Sequence, residues 1–159
     1  NTSAGVGGAD PTGDSTDART DGTQRALTEA DVKTVLAACA DEGGEPDTIM
    51  VGSFNKQAFS AFTGNATRNI DSTDQALNTA VHVYVSDFGN LQVKFNRFQR
   101  ARSALILDMN MWSFATLRDF QSTDLAKTGD TDRKQILVEY TLECNQEKAS
   151  GIVADLTTA

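Results

Sequence analysis

The sequence predicts an α+β domain in which two helices precede most of the strands. Apolar residues first recur at spacings of three and four, in segments that begin near residues 28 and 53, and this periodicity is that of one helix face. From residue 81 onward, apolar and polar residues alternate instead, which is the period of a strand. Because the helical patterns come early and the strand patterns late, a doubly wound parallel sheet is not expected.

The first part of the chain predicts little structure of its own. The 159 residues carry a formal net charge of −8, and residues 1–47 hold ten acidic side chains against Arg19, Arg25 and Lys33. Residues 1–26 are rich in Gly, Ser, Thr and Asp and poor in apolar side chains. Such a segment cannot offset the entropy cost of ordering by itself. We therefore expect a flexible acidic arm or linker, which contact with another subunit could order.

The first helix is predicted to begin after Thr28, a favourable N-cap residue, with carboxylates at Glu29 and Asp31 in its first turn. Gly43 and Gly44 predict its end. Its apolar face comprises Val32, Val35, Leu36 and Cys39.

A second helix is predicted to open at Gly52-Ser53 and to bury an aromatic face. That face comprises Phe54, Ala58, Phe59 and Phe62. Gly64 ends the pattern, and the polar residues 65–79 predict an exposed loop.

A β-hairpin is the clearest strand prediction. Val81, Val83 and Val85 alternate with His82 and Tyr84, and the alternation resumes over residues 91–96. The intervening residues 86–90, Ser-Asp-Phe-Gly-Asn, supply turn chemistry. Further strands are predicted at Thr48–Val51, 104–108, 135–144 and 151–156, whereas the state of residues 112–117 is left open.

The sequence lacks the residue groups expected of a catalytic, cofactor or metal site. His82 is the only histidine and is interpreted as a satisfied strand residue. Asp124, Asp130 and Asp132 lack the spacing of a calcium loop and predict a turn between strands. Cys39 and Cys144 lack zinc-site spacing and are interpreted as reduced apolar residues, with a bridge between them left open. We expect no enzymatic activity and no cofactor.

A cluster of basic residues is the main candidate contact site. Lys94, Arg97, Arg100 and Arg102 fall close together, interleaved with aromatic Phe95 and Phe98. The cluster superficially resembles a surface for single-stranded nucleic acid. The acidic net charge disfavours that reading, so we expect contacts with acids of a neighbouring subunit and no sequence-specific nucleic-acid binding. No run approaches the roughly 20 apolar residues of a membrane helix, so no membrane partner is expected.

Several short stretches carry a resemblance to one protein family. They are Val83-Tyr84-Val85-Ser86-Asp87-Phe88-Gly89, Phe95-Asn96-Arg97, Leu107-Asp108, Trp112, Leu117-Arg118, Leu125-Ala126-Lys127-Thr128-Gly129-Asp130 and Glu139-Tyr140-Thr141-Leu142-Glu143. Together with the order of helices and strands over residues 27–156, they resemble the major capsid family of tailed bacteriophages with the Hong Kong-type coat fold.

The resemblance implies a fragment of such a capsid protein that starts after the spine helix and the extended loop. Residues 27–130 would form a region like the axial domain, a mixed or antiparallel sheet flanked by helices. Residues 131–159 would form a C-terminal β segment that returns to the peripheral domain.

The same resemblance implies a structural role in the virion. Copies of the chain would form the pentamers and hexamers of an icosahedral shell around phage DNA, assembled in the bacterial cytoplasm with scaffolding or portal proteins as further partners. A decoration or tail protein is the alternative among virion components, and an enzyme comes third.

Overall fold

The computed structural model describes residues 2–8, 18, 20–62 and 83–158. The chain divides into two compact units. One comprises Asn1–Met109 with Glu147–Ala159, and the other comprises Asn110–Gln146. The predictions for His82 and for the loop at 65–79 lie outside the described residues.

The first unit is a six-stranded mixed sheet with two helices. Its elements are β1 (Thr2–Ser3), α1 (Glu29–Asp41), β2 (Thr48–Val51), α2 (Ser53–Ser60), β3 (Val83–Ser86), β4 (Gly89–Phe95), β5 (Ala104–Leu107) and β8 (Gly151–Val153). The strand order is β1-β8-β5-β2-β4-β3. Strand β2 pairs parallel with β4 and antiparallel with β5. The predicted α+β class is therefore confirmed.

Helix α1 forms as its sequence predicts. The Thr28 hydroxyl accepts a hydrogen bond from the backbone N–H of Asp31, and the four residues predicted for the apolar face are all buried. The helix ends because Gly43 adopts a φ of +81°, a conformation that side chains disfavour. Gly44 then passes so close to Ala149 that a Cβ would lie 2.5 Å from its Cα.

Helix α2 departs in part from the predicted aromatic face. Phe59 is buried, and Phe62 packs against the same core. Phe54, however, is exposed, and Asn55 is buried in its place. The reason is a hydrogen bond, because the Asn55 amide donates to the carbonyl oxygen of Ala101 at 2.7 Å.

The β3–β4 hairpin is confirmed, with Ser86 directly opposite Gly89. Its buried face carries Tyr84 rather than the valines, since Val83 and Val85 are 53% and 66% exposed. The Tyr84 ring packs edge-on against Phe59, with centroids 5.5 Å apart. The tyrosine therefore joins the hairpin to the helical layer.

The second unit is a two-stranded antiparallel ribbon. Its strands are β6 (Trp112–Thr128) and β7 (Thr131–Cys144), with Thr128 opposite Thr131. Gly129 and Asp130 form the turn. The turn prediction is therefore confirmed for Asp130 but wrong for Asp124 and Asp132, which lie in the paired strands β6 and β7. Most of the ribbon is exposed, so it has no core of its own.

Part of the segment predicted to be an arm lies on the chain's own sheet. Thr2 and Ser3 pair with β8. Arg25 forms a bridge to Leu156, and its guanidinium binds Asp31 and the Ser3 hydroxyl. Backbone pairing thus fixes both described ends of this segment.

Tyr84 makes the stability of the fold depend on pH. Burial, together with the hydrogen bond from its hydroxyl to Glu29 at 3.1 Å, raises the pKa of Tyr84 to about 12. The ordinary value is 10.0, so stability should be fully present below pH 10 and should fall as the pH rises towards 12.

The chain has two tyrosines, so a Tyr140→Phe variant allows an absorbance titration of Tyr84 alone. We expect a midpoint near 12. A midpoint near 10 in the folded protein would show that the hydroxyl is not held. In Tyr84→Phe, the free energy of unfolding should no longer fall between pH 10 and 12 on account of this residue.

Candidate intersubunit surface

The predicted basic cluster lies at the end of the sheet where β2 and β4 finish. Two successive turns follow β4. In the first, the backbone N–H of Gln99 donates to the carbonyl of Asn96 at 3.2 Å, and the Asn96 side-chain oxygen accepts from the N–H of Phe98 at 3.0 Å. In the second, the N–H of Ser103 donates to the carbonyl of Arg100 at 3.1 Å. These bonds give the cluster a defined shape.

The turns are also attached to the core. The N–H of Asn96 donates to the carbonyl of Val51 at 3.0 Å, and Asn55 binds the carbonyl of Ala101 from α2. Nearby, the Lys56 ammonium donates to the carbonyl of Val93 at 3.1 Å, and burial lowers the pKa of Lys56. The buried side of this region is therefore polar and hydrogen-bonded.

Four residues of this region project outward, and we call them the basic tip: Lys94, Phe95, Arg97 and Phe98. Phe98 is 89% exposed and Phe95 is 53% exposed. Neither Lys94 nor Arg97 is ion-paired with any described residue. Large aromatic side chains beside a free cation are typical of contact surfaces.

Arg100 and Arg102 are held within the chain. Arg100 binds both carboxylate oxygens of Asp21, at 2.6 and 2.7 Å, and this bond raises the pKa of Arg100. Arg102 lies 3.3 Å from the same carboxylate and donates to the carbonyl of Gly22 at 2.8 Å. The structure thus divides the four predicted contact residues into two pairs. Lys94 and Arg97 have no ion-pair partner in the described part of the chain, whereas Arg100 and Arg102 bind the front segment, which we define as the described residues 2–8 and 20–26.

Asp155 connects these groups, and no local sequence pattern singled it out. Its buried carboxylate accepts from the backbone N–H groups of Gly5 and Gly22, at 3.1 and 2.9 Å, and from Arg102 at 3.3 Å. Its φ is 58°, in a region that aspartate tolerates better than most residues. One carboxylate therefore joins three segments that are distant in sequence.

Acidic residues occupy the opposite end of the same sheet. Three exposed acids lie at the end of α1 and in the loop before β2, namely Asp41, Glu42 and Glu45. Asp87 lies in the turn before β4. Because β2 and β4 run parallel, these loops lie at one end and the basic tip at the other. We call these four residues the acidic end. The Lys148 ammonium lies 3.1 Å from Glu42 and neutralises one of them.

Features of other kinds of site are few in the part of the chain that the structure describes. No group of three or more His, Cys, Asp or Glu side chains could hold a metal among the described residues. No described helix is long and apolar enough to cross a membrane. Cys39 and Cys144 are not joined by a disulfide bond. A shallow open depression lies on the ribbon, lined by Ala115, Thr116, Leu117, Glu139, Tyr140 and Thr141.

Comparison with known proteins gives one family. The sequence profile described as SU10 major capsid protein matches residues 2–157. The search of curated proteins finds no match. Among solved structures, a virus-like particle from Pyrococcus furiosus is similar, with 7% sequence identity, a TM-score of 0.46 and 82% of this chain covered. The match covers 54% of that protein, so the chain spans about half its length.

Replacement of Asp155 by asparagine should loosen the front segment. Asparagine tolerates the same backbone conformation, so the change removes the charge without adding strain. We expect a loss of about 1–3 kcal/mol in the free energy of unfolding, because partly buried donors lose a charged acceptor. Asp21→Asn is the matched control on an exposed pair and should cost about 1 kcal/mol or less. Equal effects in urea unfolding would contradict the central role of Asp155.

Proposed function

The chain belongs to the family of SU10 major capsid proteins, and from that premise we propose that it self-assembles into the icosahedral shell enclosing phage DNA. The family match over nearly the whole chain is the observation that carries this proposal. A major capsid protein resides in the virion. We place its assembly in the bacterial cytoplasm, with scaffolding or portal proteins as further partners and a structural rather than a catalytic role.

We further propose the Hong Kong-type coat fold for this chain. The six-stranded mixed sheet with α1 and α2 would correspond to the axial domain, which in that family surrounds the symmetry axes. The ribbon would belong to the part of the chain that returns to the peripheral domain. In support, the sheet unit has its own buried core, and the ribbon is a separate unit inserted between β5 and β8.

The basic tip is proposed to contact the acidic end of the next copy. The two surfaces carry opposite charge and lie at opposite ends of one sheet, so one copy cannot pair them within itself. Pairing them between copies makes a head-to-tail contact. Such a contact closes into a ring when the rotation per copy divides a full turn, as pentamers and hexamers require.

The free energy of each contact should be small. Exposed ion pairs contribute about 1 kcal/mol or less each, so a shell must depend on many repeated contacts. Phe98 adds apolar area at the same place, which an ion pair alone lacks. Weak individual contacts allow a misplaced subunit to leave before the shell closes.

Electron microscopy of the complete gene product expressed alone tests the shell proposal. We expect closed particles of uniform size. Reversal of charge in Lys94→Glu with Arg97→Glu, the two cations of the basic tip, should greatly reduce particle yield, whereas the charge-preserving pair Lys94→Arg with Arg97→Lys should retain it.

A charge exchange tests the head-to-tail arrangement. Adding Asp41→Lys and Glu45→Lys to the doubly reversed variant restores opposite charges between the two ends, so particle yield should recover. Undiminished yield in the doubly reversed variant, or no recovery in the exchanged one, would refute the contact. Absence of particles from the unaltered protein, with or without added scaffold, would refute the shell role itself.

A further inference from the structure

The ribbon has two chemically different faces. Directly opposite residues of paired strands share a face, and alternate residues along a strand do too. Phe114 lies opposite Leu142, and Ser122 lies opposite Ile136. One face therefore carries a continuous apolar series, which we call the apolar face. It comprises Trp112, Phe114, Ile136, Val138, Tyr140 and Leu142.

Most of the apolar face is exposed to solvent in a single copy of the chain. Phe114, Ile136, Tyr140 and Leu142 are 63%, 70%, 62% and 64% exposed. Phe114 and Tyr140 stack on each other, with centroids 4.9 Å apart, but this contact leaves their outer surfaces uncovered. A two-stranded hairpin is marginally stable at best in water, so a ribbon of this length needs a partner for its apolar side.

The other face is polar and suited to solvent. Arg118 lies opposite Glu139, and their side chains form an ion pair at 2.9 Å. The Ser113 hydroxyl donates to Glu143 at 3.3 Å, and Thr141 lies between the two glutamates in the alternation. Leu125, opposite Arg133 on this face, is an exception at 45% exposed, and Leu117 and Phe120 are exposed where the register of β6 shifts. The larger apolar surface of the regular ladder lies on the apolar face.

We propose that the apolar face is an interface between two copies of this chain, in which the same residues of both ribbons pack against each other. This contact rests on the proposed capsid role, which supplies many copies of one subunit. It involves none of the residues of the basic tip or the acidic end, so the two contacts can be separated by mutation.

The charges at the edge of the apolar face are compatible with packing against the same face of a second copy. Asp124 and Lys134 are directly opposite in the register, and their side chains lie 3.4 Å apart. They form a neutral pair towards the turn end of the ribbon, beyond Ile136. Two identical faces therefore approach each other without a net repulsion, and the apolar centre of each contributes no charge to be desolvated.

The apolar area is sufficient for a specific dimer. The four exposed side chains leave on the order of 500 Å² per copy, given about 150–250 Å² for an aromatic side chain and somewhat less for Leu or Ile. Two copies together would bury about 1,000 Å², which is near the threshold of a biological interface and typical of a weak, reversible dimer. Two ribbons can pack face to face with about 10 Å between them, as the two sheets of a β-sandwich do.

Sedimentation of the full chain over a concentration series tests this interface. We expect a reversible monomer–dimer equilibrium. Leu142→Lys, opposite Phe114 on the apolar face, should weaken dimerisation by about tenfold or more, because a lysine would be buried without a partner. Thr141→Lys is the matched control, since it adds the same charge to the neighbouring position on the polar face and should leave dimerisation unchanged.

A cross-linking variant keeps the test decisive if Leu142→Lys unfolds. In a Cys39→Ser, Cys144→Ser background, Tyr140→Cys should give a disulfide-linked dimer on oxidation, and Thr141→Cys should give little.

A monomer at all concentrations would overturn the interface, as would equal behaviour of the two lysine variants. A lowered melting temperature in Leu142→Lys with no dimer in either variant would assign the face to another segment or protein. Retention of the ribbon dimer in Lys94→Glu with Arg97→Glu would show that this contact stands apart from shell assembly.

Discussion

The position of β2 in the middle of the sheet is the constraint on which the other features depend. Its backbone is paired on both sides, parallel with β4 and antiparallel with β5, and its residues Thr48, Ile49 and Val51 are buried. The parallel pairing requires the chain to return from the end of the sheet where β2 finishes to the end where β4 starts, and β3, which is antiparallel to β4, runs in that returning direction. It also fixes which loops share an end. The separation of acidic loops from the basic tip follows from this pairing rather than from any contact between the charges.

Burial of polar groups determines which side chains are fixed and which remain available. The buried side chains of Asp155 and Asn55 each form hydrogen bonds with backbone groups of distant segments, so both residues stabilise the fold. Arg100 and Arg102 likewise form ion pairs within the chain, with Asp21 and Asp155. The side chains of Arg97 and Phe98, one turn earlier, make no such contact with the residues that the structure describes and project outward. A charged cluster in sequence therefore becomes two groups with different roles once the chain folds.

The two units differ in how much of their apolar surface is buried within the chain. The sheet unit buries its apolar residues within one chain, in a core that includes Leu36, Ile49, Phe59 and Ile106. The ribbon has two strands and no covering layer of its own, so its apolar side chains stay at the surface. A chain with this division is suited to assembly, because the self-sufficient unit maintains the subunit while the incomplete one favours association. Each contact can then be weak without loss of the fold.

The sequence by itself determined the helices, most strands and the class of protein. Capping at Thr28, the apolar spacing of α1, the hairpin turn before Gly89 and the closing alternation at 135–144 are local, and local signals survive folding. It did not determine the face of β3, where the packing of Tyr84 on Phe59 outweighed the hydrophobicity of the valines, nor the burial of Asn55 in place of Phe54. Nor could it identify Asp155, whose three donors come from residues 5, 22 and 102. Such groups meet only in the tertiary structure, because strand order and direction, which no local pattern encodes, bring them together.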